Sequence, residues 1–434
     1  MDRSEQNSGS GAVRPGQGFD SGALDGWLRD HVQDYAGPLT VEQFRGGQSN
    51  PTYKLITPGR SYVMRRKPAG KLLPGAHAIE REYRVITALG AQGFPVAKSY
   101  GLCEDESVIG TAFYVMEMVE GRIFWDTSFP ELPAAERPAY FDAMNAALAA
   151  LHRIDPEAAG LGDYGKPGNY FARQIARWSK QYESDVEAGR VEAMDRLVEW
   201  LPANIPPDEQ QPRVIHGDYR CDNMVFHPTE PRVLAVLDWE LSTLGHPLAD
   251  FTYHLMMYRM PGGMTTGLAG LDLTVLNIPS EADYVAAYCR RTGRDGIPDL
   301  DFYMAFNLFR LAGIVHGIKA RIVRGTAASA HAEATALRAL QQHHADQGED
   351  DHEMNRNDDS VHRYLPSQTP RAGSRSRRCL RGLKLGGLYT IAGGIVTPRL
   401  RAWPPCPGRG DLYLDRGFRR GINQFSVSSP GLSR

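Results

Sequence analysis

The segment His216-Gly217-Asp218-Tyr219-Arg220-Cys221-Asp222-Asn223, followed after a short apolar run by Leu237-Asp238-Trp239-Glu240, constrains this chain more than any other feature. In an H-x-D-x-x-x-x-N pattern the Asp lies on a tight loop where its carboxylate can accept a proton from a substrate hydroxyl. The later Asn supplies an amide oxygen to a magnesium ion. A second carboxylate must hold the metal from the other side, and Asp238 answers that need. It closes Val233-Leu234-Ala235-Val236-Leu237, which is apolar and β-branched enough to form a short buried strand that fixes the side chain's direction. His-Gly-Asp alone is ordinary turn chemistry, because Asp and Asn favour Asx-turns. Here Asn223 stands at kinase spacing, Arg213-Val214-Ile215 and Met224-Val225-Phe226 flank the loop as strands, and Asp238 ends the next strand. The segment therefore reads as a phosphoryl-transfer centre, with Asp218 as base and Asn223 and Asp238 as metal ligands. Arg220 sits two positions past the base, where a cation reaches the transferred group.

The rest of the chain has to supply a nucleotide site, and its first part has the right pattern. Leu24, Trp27, Leu28 and Val32 fall on one face of a helix that Asp20 or Ser21 can cap. Strand-like runs follow at Leu39 to Phe44, Thr52 to Thr57 and Ser61 to Lys67, the last two joined through Pro58-Gly59. Between the first two lies Gly46-Gly47-Gln48-Ser49-Asn50, a glycine-bearing turn that can lay backbone N–H groups over phosphates; an ordinary hairpin is the alternative. Period-2 alternation puts Val63, Arg65 and Lys67 on one face of the third strand. Ile79, Tyr83, Ile86 and Leu89 form the buried stripe of the next helix with Glu82 beside it, so an Arg65 to Glu82 ion pair is expected. A Glu82 carboxylate that snorkels to solvent, or pairs with Arg81 or Lys98, is the alternative. Two further strands, near Val96 to Cys103 and Ala112 to Val119, complete a five-stranded sheet. Met116, Glu117 and Val119 leave it as a segment whose backbone can bond an adenine edge, while Val63 and Met116 form an apolar slot; a plain linker is the alternative.

From about Gly121 the pattern turns helical, with Phe141, Met144, Leu148 and Leu151 at helical spacing and further helices after Tyr170, Phe251, Ala282 and Phe302. Asp250 reads as an N-terminal helix residue that orients the catalytic loop, and His246 as structural. Arg310, His316, Lys319, Arg321 and Arg324 form a basic series, which is ordinarily a solvated face; if it lines the cleft beyond Asp218, it favours an acceptor bearing phosphate or carboxylate. Beyond about Gly348 the sequence becomes rich in Arg, Gly, Pro and Ser without a sustained period, and disorder is expected there. An out-of-frame extension or a basic tail touching nucleic acid are the alternatives. The expected division is a flexible start over 1–19, a nucleotide-binding lobe over 20–120, a catalytic and acceptor lobe over 121–347 and a tail over 348–434.

A length of 434 residues with 42% hydrophobic content permits such an arrangement of cored units. A formal net charge of -2 gives no reason to expect nucleic acid or an anionic membrane as main partner. Five scattered cysteines without a C-x-x-C pair argue for reduced thiols. With no secretory signal or spanning stretch recognised, a cytoplasmic setting is the expectation.

Taken together, Gly46 to Asn50, Tyr62 to Pro68, Arg81-Glu82-Tyr83, His216 to Asn223 and Leu237 to Asp250 resemble the aminoglycoside phosphotransferase superfamily over about residues 36 to 346. The run DWELSTLGHPLAD and the segment Arg66 to His77 are most similar to the branch found fused to acyl-CoA dehydrogenases. The resemblance implies an α+β, bilobal protein-kinase-like fold, with a small antiparallel-sheet lobe and a larger helical lobe. It also implies ATP, magnesium and phosphorylation of a small-molecule hydroxyl. By position, Asp218 is the base, Asn223 and Asp238 hold magnesium, and Ser49 with its neighbours forms the phosphate loop. Arg65 replaces the family's usual Lys as the partner of Glu82, and its planar fork differs from an ammonium in reach and geometry. A polycationic aminoglycoside wants an acidic pocket, so the basic series ranks a hydroxyacyl-CoA or similar anionic hydroxy compound ahead of an antibiotic. Choline, homoserine and sugar amines are further alternatives, and a non-catalytic pseudokinase is the rival of another class.

Overall fold

The computed structural model describes residues 9–45, 50–68, 70, 77–166, 168–207, 211–261 and 267–325, and the backbone of 389–392 and 395–398. The first lobe is a twisted antiparallel sheet built from β1 (Ser10–Gly11), β2 (Thr40–Phe44), β3 (Thr52–Ile56), β4 (Ser61–Arg66), β5 (Ser99–Cys103) and β6 (Phe113–Glu117), in the order β1-β2-β3-β4-β6-β5. Strand alternation divides its residues between two cores. Tyr62 and Met64 of β4, with Tyr53, Leu55, Phe113 and Val115, face α1 (Ser21–His31), where Leu24 and Leu28 are buried and Trp27 meets Phe113 edge-on at 4.9 Å. Asp20 caps α1, its carboxylate accepting from Gly22 N and Ala23 N. Val63 and Arg65 point the opposite way, towards α2 (Ile79–Ala91) and the second lobe.

The sheet has six strands where five were expected, because Ser10–Gly11 pairs with Gln43 and Phe44. Nor is the described part of the first 19 residues loose. Tyr53 Oη and Arg66 Nη2 both donate to Gln17 O, at 2.8 and 2.9 Å, and Phe19 packs on Tyr53 at 5.1 Å. A two-residue strand has no periodicity to detect, and these anchors are polar backbone contacts that no hydrophobic pattern reports.

The second lobe contains α3 (Arg137–Arg153), α4 (Tyr170–Ser184), α5 (Glu192–Ala203), α6 (Pro247–Leu255), α7 (Glu281–Thr292) and α8 (Leu300–Val323). One apolar core runs from α2 through α3 and α6 to α8. Two small antiparallel ladders are set into it. β7 (Arg213–Ile215) pairs with β10 (Thr243–Gly245), and β8 (Met224–Phe226) pairs with β9 (Val233–Val236). The lobes are joined close to Gly121, where an added Cβ would lie 2.2 Å from Phe226 O, so only glycine permits this approach. Arg122 and Phe226 exchange backbone hydrogen bonds of 2.8 Å at the same place. Among the described residues no helix is long and apolar enough to cross a membrane. Within the stretch expected to be disordered, β11 (Tyr389–Ala392) and β12 (Ile395–Pro398) form an antiparallel hairpin.

Candidate active site

The loop between β7 and β8 carries Asp218, and the turn between β9 and β10 carries Asp238; the ladders deliver both to the floor of the cleft. The loop is shaped from behind by Asp250 in the first turn of α6. Its carboxylate accepts from His216 N at 2.7 Å and Gly217 N at 2.8 Å, and a third contact comes from His152 Nε2 at 3.3 Å. Burial alone would raise the Asp250 pKa, but His152, His216 and these amides outweigh it and hold the group below the usual carboxylate range. Gly217 has φ +83°, and a Cβ there would meet Leu241 O at 2.8 Å, so the turn needs glycine. His216 links the two loops: its Nε2 bonds Leu237 O at 2.8 Å and its Nδ1 accepts from Asp218 N at 3.2 Å. Below the loop, His254 Nδ1 bonds Tyr219 O at 3.1 Å and its Nε2 faces the Tyr284 hydroxyl at 2.7 Å.

Asp218 is held on both oxygens. Oδ1 accepts from the Tyr253 hydroxyl at 2.5 Å, Oδ2 accepts from Asn223 Nδ2 at 3.1 Å, and Arg220 Nε stands 3.6 Å from Oδ1. Burial would raise its pKa; the Arg220 charge and the Tyr253 and Asn223 hydrogen bonds prevail and lower it. Tyr253 is itself positioned by Arg310, whose guanidinium lies over its ring at 5.1 Å and donates to Gly217 O at 2.8 Å. Nothing in the spacing from Asp218 to Tyr253 pointed to this contact, which depends on α6 folding back under the loop. Of the basic series, Arg310 thus reaches the catalytic loop. His316 is buried against Gly189 O and Arg324 pairs with Asp185 and Glu187, so these two are engaged elsewhere.

Asp238 has φ 63° and ψ 66°, a left-handed conformation that non-glycine residues rarely adopt, and its side chain is 43% exposed. It is bound from across the cleft: Arg65 Nη1 and Nη2 both lie 3.2 Å from its Oδ1. Arg65 Nε also contacts Glu82 Oε2 at 3.4 Å, so the expected ion pair is present and extends to a third group. Glu82 is buried and accepts from Tyr114 Oη at 3.0 Å and Asn50 Nδ2 at 2.9 Å. Burial pushes its carboxyl up to about 7 against the pull of Arg65.

Asn50, grouped by sequence with the phosphate-binding turn, is fully buried. Its amide is engaged by Glu82 and by His77 Nδ1 at 2.9 Å, so the side chain ties the end of that turn to α2 and is not presented to a phosphate. Gly46, Gly47 and Ser49 lie outside the described residues. Lys67 falls just beyond β4 and pairs with Glu80 at 3.0 Å.

Between the lobes lies a cavity of about 300 Å³. Val63 and Met116, paired across β4 and β6, form its roof with Val119 at one edge, and Val225 and Val236 form its floor. Glu117 lines it and accepts from Lys98 N at 3.3 Å. Arg65, Asn223 and Asp238 stand at its polar end. An apolar slot closed at one end by a cation, an amide and a carboxylate suits a flat base with a phosphate chain. Magnesium usually takes one or two protein carboxylates and completes its shell with phosphate oxygens and water, which fits a donor set of one carboxylate and one amide oxygen.

Comparison with known proteins shows the family and the fold. The sequence profile of the phosphotransferase enzyme family matches residues 40–306. A crystal structure of a Ralstonia eutropha JMP134 protein, provisionally called an aminoglycoside phosphotransferase, is 57% identical with a TM-score of 0.68, over 74% of this chain and 95% of that one. Acyl-CoA dehydrogenase family member 11 of Gallus gallus is 44% identical over 343 residues, covering 76% of this chain and 44% of the chicken protein. The chain spans less than half the length of the curated relatives it matches. Choline kinase from Cryptosporidium parvum shares the fold alone, at 10% identity and TM-score 0.52 over 74% of this chain and 97% of that one.

Proposed function

The chain belongs to the phosphotransferase enzyme family and is a small-molecule kinase; from that premise we propose that it transfers the terminal phosphoryl group of ATP to a hydroxyl of an anionic metabolite, of the hydroxyacyl-CoA class. The observation that carries the acceptor class is that two cations serve Asp218: Arg220 stands 3.6 Å away while also pairing with Asp222 at 2.7 Å, and Arg310 acts through Tyr253 and Gly217. Such surroundings favour phosphate or carboxylate groups and oppose a polycation. The dehydrogenase names of the matched relatives point the same way.

In this reading the base of the nucleotide occupies the slot between Val63, Met116 and Val225, and Asp238 with Asn223 holds magnesium. Magnesium, when bound, supplies charge neutralisation on the phosphates. Asp218 orients the acceptor hydroxyl in line and receives its proton as the oxygen bonds to phosphorus. The bond from phosphorus to the bridging oxygen breaks, and ADP departs with that electron pair. Asp218 is a weak base with a lowered pKa, so its main contribution is placement of the hydroxyl. Arg220 faces the transferred group.

The test is a panel of hydroxylated metabolites offered with magnesium-ATP, including hydroxyacyl-CoA thioesters, choline, homoserine and kanamycin-type antibiotics, with ADP release as readout. Release dependent on a hydroxyacyl-CoA is the expected result, and release with kanamycin alone would overturn the acceptor class. The Arg65 contact with Asp238 favours one second reading, a pseudokinase in which the metal ligand stays occupied. Nucleotide binding without acceptor-dependent ADP release would favour that reading.

A further inference from the structure

A second cleft, of about 990 Å³, opens in the catalytic lobe where the ends of α3 and α7 meet the starts of β7, α6 and α8. Arg153, Arg213 and Arg294 line it beside His152, and Asp299 is the one carboxylate among its described lining residues. Asp208 and Glu209, next in sequence to the lining residue Pro207, lie outside the described residues. Among the described residues Arg213 has no side-chain partner, and Arg294 Nε is buried without a hydrogen-bond acceptor. Three guanidinium forks around a roomy, largely polar cleft match the geometry of phosphate and carboxylate oxygens.

This cleft also touches the machinery that shapes the catalytic loop. His152 lines the cleft, and its Nδ1 lies 2.7 Å from the Tyr288 hydroxyl. His152 Nε2 stands 3.3 Å from Asp250 Oδ2, the same oxygen that accepts from His216 N. His152, Tyr288 and Asp250 are all buried, so the path from the cleft wall to the loop that carries Asp218 runs through a low-dielectric interior where a change of charge at one end is weakly screened at the other. We propose that this rear cleft binds a small molecule carrying two or more acid groups, and that occupancy is transmitted through Tyr288, His152 and Asp250 to the backbone that presents Asp218. The site is separate from the nucleotide slot and does not depend on which acceptor is phosphorylated.

Inorganic pyrophosphate is the probe, titrated calorimetrically into the full chain in magnesium-free buffer with the nucleotide slot saturated by ADP. Expected is one saturable site, weakened about tenfold or more in Arg213→Gln and in Arg294→Gln and unchanged in Arg65→Gln. Hydrogen exchange of the His216 and Gly217 amides reads the coupling. Pyrophosphate should alter it in the full chain but not in Tyr288→Phe, which keeps all three arginines and still binds. The absence of a binding isotherm up to about 10 mM, or binding lost in Arg65→Gln but kept in the other two variants, would overturn the site. Because Arg213 stands outside the buried chain, its variant decides the binding result even if Arg294→Gln fails to fold. Binding with unchanged amide exchange in the full chain would overturn the coupling.

Discussion

The two carboxylates at the cleft floor are delivered by neighbouring ladders yet are treated in opposite ways. Asp218 is 23% exposed in its side chain and held on both oxygens by Tyr253 and Asn223, with a loop behind it fixed by Asp250. Asp238 is 43% exposed, sits on left-handed backbone and is gripped by Arg65 from the opposite lobe. The group proposed to meet the acceptor is thus set in advance by the second lobe alone. The group assigned to the metal depends on how the lobes stand relative to one another, and nucleotide arrival must compete with Arg65 for it. Pre-organisation belongs to the chemical step and adjustability to the binding step.

The sharpest break in that comparison is Asp218→Asn. It should lower kcat about a thousandfold while ADP affinity stays within about twofold, measured by ADP release and calorimetry. Acid should attack the same pre-set side. Burial holds His246 and His254 at about 4, below their ordinary 6.5, so both favour the fold while neutral. That stability is fully present above pH 6.5 and is lost as pH falls towards 4, by about 3 kcal/mol for each group. Denaturant melts across that range should show Tyr219 and its loop loosening before the Trp27 side of the sheet. Asp238→Ala is expected to weaken magnesium-nucleotide binding some tens of fold, roughly 2 kcal/mol, with a smaller effect on nucleotide alone. An equal loss with and without magnesium would mean that Asp238 acts only through Arg65. The smallest effect belongs to Tyr253→Phe, which removes one of the bonds lowering the Asp218 pKa. A kcat loss of about tenfold is expected, with the acid limb of the rate profile moved to higher pH; an unmoved limb would show that Tyr253 merely packs.

How much of this was legible in the sequence follows from the kind of contact involved. Asp218, Asn223 and Asp238 stand out in the sequence because phosphoryl transfer fixes residue types and local spacing, and the structure brings the three side by side at one cleft. The Arg65 to Glu82 pair was visible through strand alternation meeting a helix stripe, and the role of Asp250 through its position at the start of α6. Tyr253 was not visible, since its bond to Asp218 joins groups 35 residues apart and nothing distinguishes it from its aromatic neighbours. Arg310 was noticed for its charge, but the ring and carbonyl it serves could be seen only in the packed lobe. The second partner of Arg65, Asp238, was hidden for the same reason: a contact between lobes has no local signature. The inward lock of the Asn50 side chain was not legible, because a turn residue beside a glycine pair looks the same whether it faces a ligand or is buried.

The backbone at Asp238 sets durability against usefulness within one residue. A side chain at φ 63° costs about 1 kcal/mol relative to glycine, so Asp238→Gly should relieve local strain while giving up both the bond to buried Arg65 and the proposed metal ligand. Where the strain outweighs that bond, selection for robustness alone would drift towards a sturdier molecule without the proposed ligand, and a screen that scores only thermal resistance would reward the wrong variants.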